Sequence, residues 1–287
     1  MKQKSDRLPL ALDHYRIPPD STFSLRTIES GDVQGWKKTA ARARLKENLE
    51  AMDALQRRLY AEGRQALLVI LQAMDAAGKD STIEAVTHGL NPQGCRVTNF
   101  KAPTPPELVH DFLWRIHQHV PAQGMIGIFN RSHYEDVLIA RVKKLVPTRL
   151  IEKRYDHIND FERLLTDHGS RIVKILLHIS PEYQLEQFRE RLQDPKKHWK
   201  FKPEDLKERA LWKEYMAAYE QMLRLTSTDY APWVVVPAEH KWFRTMVVSD
   251  LIRRTLEHMD PQYPKPTFDP ADFDLNRQER RASNACT

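Results

Sequence analysis

Apolar residues at Ala41, Leu45, Leu49, Met52, Leu55 and Leu59 recur at steps of three and four. That spacing lays one stripe of a long helix against a core, and Gly63 supplies its stop. The period then changes. Residues 65–72 (QALLVILQ) form an unbroken apolar run of strand length, the pattern of a strand buried on both faces. A helix is expected over 79–88, closed by Gly89 and Asn91-Pro92, and a short strand over 96–100. Thr104-Pro105-Pro106-Glu107 has the form of a capping box with Pro at the first helical position. Leu108, Phe112 and Ile116 continue that helix. Residues 125–129 (MIGIF) read as a third strand, followed by a helix with Tyr134, Leu138, Val142 and Leu145 on one face. A helix from Pro147 to about His168 leads to a fourth strand at 172–179 (IVKILLHI), and Ser180-Pro181 opens the next helix. Residues 233–236 (WVVV) are a fifth strand, and Phe243, Val247 and Leu251 mark a last helix. Residues 1–35, with Pro9, Pro18, Pro19, Gly31 and Gly35, lack a period and read as an extended N-terminal arm. The tail over 261–287, with Pro264, Pro266 and Pro270, reads as a second arm, packed or disordered. Strand and helix alternate through the middle, which predicts an α/β fold: a mostly parallel sheet of about five strands, flanked by helices. Ligands in such folds bind at the carboxyl ends of the strands.

Composition narrows the class. The 287 residues are 41% hydrophobic and 29% charged, far from a disordered chain and enough for a sizeable core. The longest apolar stretch, 66–71, is too short to span a bilayer, and the polar start lacks the apolar segment of a secretory signal. Two cysteines, Cys95 and Cys286, form no metal or redox spacing. A disulfide scaffold, a zinc module and a membrane protein are excluded, and a cytoplasmic location with reduced thiols is expected. The net charge is +6. Between Arg189 and Lys213 nine basic residues face five acidic ones, so most of the excess lies there. Such a cluster suits a polyanion; a solvated helix face is the plain alternative.

The chemistry follows the strands. After the first comes Ala73-Met74-Asp75-Ala76-Ala77-Gly78-Lys79-Asp80-Ser81-Thr82. This fits the phosphate-binding loop (Walker A) pattern with two departures, Ala73 for the first Gly and Asp80 where the hydroxyl residue normally follows Lys. Ala76, Ala77 and Gly78 let backbone amides approach phosphate oxygens; the helix N-terminus and Lys79 add positive potential. Asp80, Ser81 and Thr82 line the same turn. A plain strand–helix turn with a solvent-facing Lys79 is the alternative. Asp75 reads as a Mg²⁺ ligand, an orienter of phosphate, or a turn-stabilising residue. After the third strand comes Asn130-Arg131-Ser132-His133-Tyr134-Glu135-Asp136. Arg131 can fork around phosphate oxygens, and Glu135 or Asp136 can supply a metal ligand or base. Ser132-x-x-Glu135 is equally a capping box, which would use Glu135 to hold the helix start. His133 reads as packing.

These stretches, with Asn91-Pro92-Gln93-Gly94, Phe100-Lys101-Ala102-Pro103 and Asp194-Pro195-Lys196-Lys197-His198-Trp199-Lys200-Phe201, closely resemble the polyphosphate kinase 2 family over residues 30 to 260. The resemblance implies a P-loop kinase-like core over 36–260 with a helical lid at about 189–215. It also implies Mg²⁺-assisted (or Mn²⁺-assisted) transfer of a phosphoryl group between inorganic polyphosphate and a nucleotide. By position it makes Asp75, Lys79, Arg131, Arg191 and Glu135 catalytic, with Arg191 the lid arginine and Asp75 and Glu135 the metal-side acids. Lys101, Asn130, Lys196, Lys197 and Lys200 join the phosphate and nucleotide contacts. Family members restricted to nucleoside diphosphates commonly carry Asp at the position of Asn130 and lack an acid at that of Glu135. The pair here resembles the subgroup that accepts both AMP and ADP. Thr82, three residues beyond Lys79, matches the family.

The nearest alternative is an ATP-dependent nucleotide kinase of the thymidylate-kinase-like type. An RNA binder is a different class: Trp199, Phe201 and Trp212 among lysines could stack bases. Leu211, Tyr215, Tyr219 and Met222, however, stand at helical spacing and read as core packing, so no nucleic-acid partner and no membrane is expected. Exposed arms at both ends and the long first helix favour a homo-oligomer.

Overall fold

A computed structural model describes residues 10–19 and 21–273. Its centre is β1 (Ala66–Ala73), buried at every position because both faces are covered, as the continuous apolar run requires. Around it lie β2 (Cys95–Asn99), β3 (Ile126–Asn130), β4 (Ser170–His178) and β5 (Trp233–Pro237), in the order β2-β3-β1-β4-β5 and parallel throughout. The helices are α1 (Lys38–Glu62), α2 (Lys79–Thr87), α3 (Pro105–Leu108), α4 (Trp114–His117), α5 (Glu135–Val142), α6 (Thr148–Asp167), α7 (Pro181–Gln193), α8 (Pro203–Ala210), α9 (Trp212–Thr226) and α10 (Lys241–Met259). After β1 the chain runs to one edge of the sheet, returns beside β1 as β3, and crosses to β4. The carboxyl ends of β1 and β3 therefore sit side by side, with α2 and α5 leaving them.

The α1 stop falls at Gly63, whose φ of +63° is the left-handed cap that glycine adopts without strain. Helix α1 is bound to α10 by Arg44, which meets the buried Asp250 at 2.6 Å; Arg254, one turn along α10, holds the other oxygen of that carboxylate at 2.6 Å.

Three expectations are corrected. The capping box at Thr104 forms, but the helix lasts only four residues. Asp111 then accepts from the amides of Leu113 and Trp114, starting a separate short helix, so Leu108 and Phe112 share no helix with Ile116. Helix α5 ends at Val142; Lys144 turns at φ +52° and Leu145 is 62% exposed rather than on the buried face. The N-terminal arm packs its apolar residues on the core over the described residues. Leu10, Tyr15, Ile17, Leu25, Ile28 and Trp36 are buried. Arg16 bridges antiparallel to Val234, and the Ile17 amide donates to Trp233 O at 2.9 Å. The segment thus covers the β5 edge, which would otherwise present unpaired backbone groups. The described part of the C-terminal tail, residues 262–271 and 273, is exposed as expected. The remainder of the expected arm (1–9), Cys286 and most of the expected tail (274–287) lie outside the described residues. Among the described residues no helix is long and apolar enough to cross a membrane.

Candidate active site

The loop from β1 to α2 turns through two left-handed residues, Ala76 (φ +67°) and Gly78 (φ +94°). A Cβ on Gly78 would lie 2.3 Å from the Arg244 guanidinium and would have to displace it, and the positive φ favours glycine there. The amide of Ala77 donates to Met74 O and that of Thr82 to Gly78 O. Between them, the amides of Gly78, Lys79, Asp80 and Ser81 have no acceptor among the described residues. These are the orphan donors of a helix start, and they make an anion cradle. The hydroxyls of Ser81 and Thr82 donate back to Gly78 O, at 3.1 and 2.9 Å, and so hold the turn.

Lys79 does not face bulk solvent. It is 8% exposed and folds back to donate to Ala73 O at 2.9 Å. Burial, then repulsion from Arg131, pushes its ammonium down to about 8, against the pull of Asp75, Glu135 and Asp80.

β3 delivers the opposing wall. Asn130 donates to Asp80 Oδ1 at 2.7 Å. Arg131, at φ +62°, is pinned by its amide to Leu71 O and reaches Asp75 Oδ1 at 2.8 Å. Glu135 does not complete a capping box. Its carboxylate takes a hydrogen bond from the Gln72 amide at 2.9 Å, while the Gln72 oxygen accepts from Ser132 N and Oγ. Burial pushes Glu135 above the ordinary glutamate value, and Arg131 and Lys79 restrain the shift. Asp136 turns the other way, to Arg154 at 3.6 Å. His133 is buried beside Glu162 and Phe161, the packing role expected.

Helices α7, α8 and α9 form the roof. Arg191 donates to Lys200 O at 3.0 Å and Asp205 at 3.4 Å, so it is held within the roof and touches neither Lys79 nor Arg131. Burial and the charge of Asp75 both raise Asp205, which places this part of the roof across from the loop. Lys196 is exposed, Lys197 pairs with Glu190 and Asp194, and Lys200 lies 5.0 Å from the ring of Trp199, itself 75% exposed. Phe201 packs edge-on against Phe188. Lys101 is exposed beyond β2. The structure therefore gathers Asp75, Lys79, Asp80, Asn130, Arg131 and Glu135, and leaves Arg191, Lys101, Lys196, Lys197 and Lys200 out of contact with them.

Several residues at this site carry no sequence motif. Gln184 on α7 donates to Asp75 O at 3.0 Å and accepts from Arg209 of α8 at 3.1 Å, tying roof to loop. Tyr219, read as core, is buried on α9 with Glu135, Asp75 and Arg131 as its charged neighbours. Gln72 and Arg244 complete the set. Only Tyr219 had a signal, its place one helical turn from Tyr215.

Among the described residues no three His, Cys, Asp or Glu side chains are grouped to hold a metal unaided. Asp75 and Glu135 above an anion cradle nevertheless suit a hard divalent ion, which takes one or two carboxylates and completes its shell from phosphate and water.

Residues 35–264 match the family described as Polyphosphate kinase 2. An AMP/ADP-polyphosphate phosphotransferase of Meiothermus ruber is 50% identical over 88% of this chain and 95% of its own length. An ADP-polyphosphate phosphotransferase of Rhodopseudomonas palustris is 45% identical over 78% of this chain and 81% of its own. The crystal structure of polyphosphate kinase 2 from Arthrobacter aurescens TC1 superposes with a TM-score of 0.87 at 42% identity, covering 96% of both chains. The fold, the phosphate loop and the wall opposite it, taken with these likenesses, make the chain a member of the polyphosphate kinase 2 family.

Proposed function

We propose that this protein moves a phosphoryl group between inorganic polyphosphate and AMP or ADP, giving ADP or ATP, with Mg²⁺ as its working ion and Mn²⁺ as a substitute. The observation that carries the reading is the row of orphan amides with Lys79, closed on its far side by Arg131 and Glu135. A phosphate oxygen of the nucleotide attacks the terminal phosphorus of the polymer. A new P–O bond forms as the bond to the bridging oxygen breaks, and the shortened chain leaves with that electron pair. The loop amides and Lys79 hold the transferred group, Arg131 forks around its oxygens, and Asn130 fixes Asp80 beside the cradle. Asp75 and Glu135 would hold the metal ion, which when bound neutralises phosphate charge. Arg191 leaves Asp205 and Lys200 as the roof closes and excludes water. Lys196, Lys197 and Lys200 form the track for the rest of the polymer. Asn130 together with Glu135, and the name of the Meiothermus relative, support acceptance of both AMP and ADP.

The test supplies AMP and ADP separately, each with long-chain polyphosphate or with ATP as donor, and follows the products by chromatography. Polyphosphate should yield ADP and ATP, EDTA should stop both reactions, and Mg²⁺ should restore them. Turnover of AMP with ATP alone would make the chain an ordinary nucleotide kinase and end this reading.

A further inference from the structure

Among the described residues four cations are buried; Lys79 of the phosphate loop and Arg244 have no carboxylate within 4.0 Å, and the other two are paired. Lys174 meets Glu162 at 2.6 Å, and Arg115 has Glu107 at 3.8 Å. Arg244, on α10, is 1% exposed and has no carboxylate within 4.0 Å among the described residues. It donates to Ala77 O at 2.7 Å, to Ala238 O at 3.2 Å and to Ser81 Oγ at 3.0 Å, and its Nε has no acceptor. The acid nearest in sequence, Glu239, is occupied by Ser30 Oγ and the Ser180 amide. Tyr183, on α7, is the titratable neighbour that interacts with Arg244. A buried guanidinium without a counter-ion is a costly arrangement, and folds rarely keep one without compensation. This one lies directly against the phosphate loop, where it would meet a Cβ on Gly78.

We infer that Arg244 is a positioning residue whose missing counter-ion is the bound polyphosphate itself. It acts in two ways. Its bonds to Ala77 O and Ser81 Oγ hold the turn that presents the orphan amides to phosphate. Its charge, screened from water, adds to that of Lys79 from the opposite side of the loop. The inference rests on the phosphate-cradle reading above.

Calorimetric titration with inorganic tripolyphosphate separates charge from hydrogen bonding. Arg244→Gln keeps a donor and removes the charge; Arg244→Lys keeps the charge and removes the fork. The Gln variant should bind tripolyphosphate about tenfold more weakly, with KM for polyphosphate rising more than kcat falls, and the Lys variant should recover most of the loss. Equal binding by wild type and Arg244→Gln, or equal losses in both variants, would overturn the role of the charge. Should Arg244→Gln not fold, Tyr183→Glu supplies the absent counter-ion instead. It should raise the melting temperature of the free protein and weaken tripolyphosphate binding; unchanged binding would overturn the inference. Failure of the wild type to bind tripolyphosphate would strike the proposed function rather than this inference.

Discussion

Lys79 and Glu135 face each other across the loop with their proton equilibria moved towards one another. In the free protein burial and Arg131 bring Lys79 to about 8, while burial lifts Glu135 above the ordinary glutamate value. In the proposed mechanism polyphosphate binding needs Lys79 charged and metal binding needs Glu135 ionised. A plot of kcat/KM for polyphosphate from about pH 5 to 10 should therefore show an alkaline limb near 8 and an acid limb above the usual carboxylate range. Bound phosphate favours the ammonium, so the alkaline limb should move up in kcat. Lys79→Arg, still charged throughout, should lose that limb; its persistence would assign the limb to another group. Asn130 offers a second test. Its amide donates to Asp80 at 2.7 Å, so Asn130→Asp sets two carboxylates against each other and should cost about 1–3 kcal/mol in stability. Adding Asp80→Asn restores a donor from the other side. Recovery of the melting temperature in the double variant checks the pair, and additive losses would contradict it. The loop residues were legible because Gly78-Lys79 stood between a buried run and a helix. Arg244 and Gln184 were not, since a single polar residue on an amphipathic helix looks the same whether it meets water or a carbonyl.

Among the elements, the roof carries the clearest expectations. Arg191 is bound to Lys200 O and Asp205, partners that the proposed mechanism has it exchange for phosphate oxygens. Arg191→Ala should then lower kcat by roughly 2–4 kcal/mol of transition-state stabilisation, while Lys200→Ala should chiefly raise KM for polyphosphate, an effect that fades in salt. Steady-state kinetics at low and high KCl distinguishes them; an unchanged kcat in Arg191→Ala would remove it from the chemistry. Two ties set where the roof rests: Arg209 to Gln184 and on to Asp75 O, and Lys143, just after α5, to Glu208, which also accepts from Tyr215. The strands and most helices could be read from period alone. The break between α3 and α4 could not, because Asp111 ends one helical pattern and opens another without altering the apolar spacing around it.

At the scale of the whole molecule, the sheet is held to its roof by a charged network that no sequence pattern reveals. Lys174 on β4 donates to Glu162 on α6 at 2.6 Å, to Tyr134 Oη at 3.0 Å and to Thr226 O at 2.5 Å. Tyr134 Oη in turn donates to Glu162 Oε1 at 2.7 Å. Lys174 reads as one polar interruption in an apolar strand, and Glu162 as one more acid on a polar-rich helix. Their pairing across β4 and α6 is purely tertiary. Both side chains are fully buried, and against the upward push of burial Lys174 and His133 hold Glu162 below the ordinary glutamate value. Tyr134 immediately precedes Glu135, so the network also fixes the start of α5 and the wall of the site. Glu162→Gln leaves the ammonium without its anion and should destabilise the protein by about 3–5 kcal/mol. Replacing both partners, Glu162→Leu with Lys174→Met, removes two desolvated charges together and should cost much less. At about 2–4 °C per kcal/mol for a chain of this size, the single variant should melt on the order of 10 °C lower and the double variant close to wild type. A double variant melting as low as the single one would mean that Tyr134 and Thr226, rather than the charge pair, hold this junction.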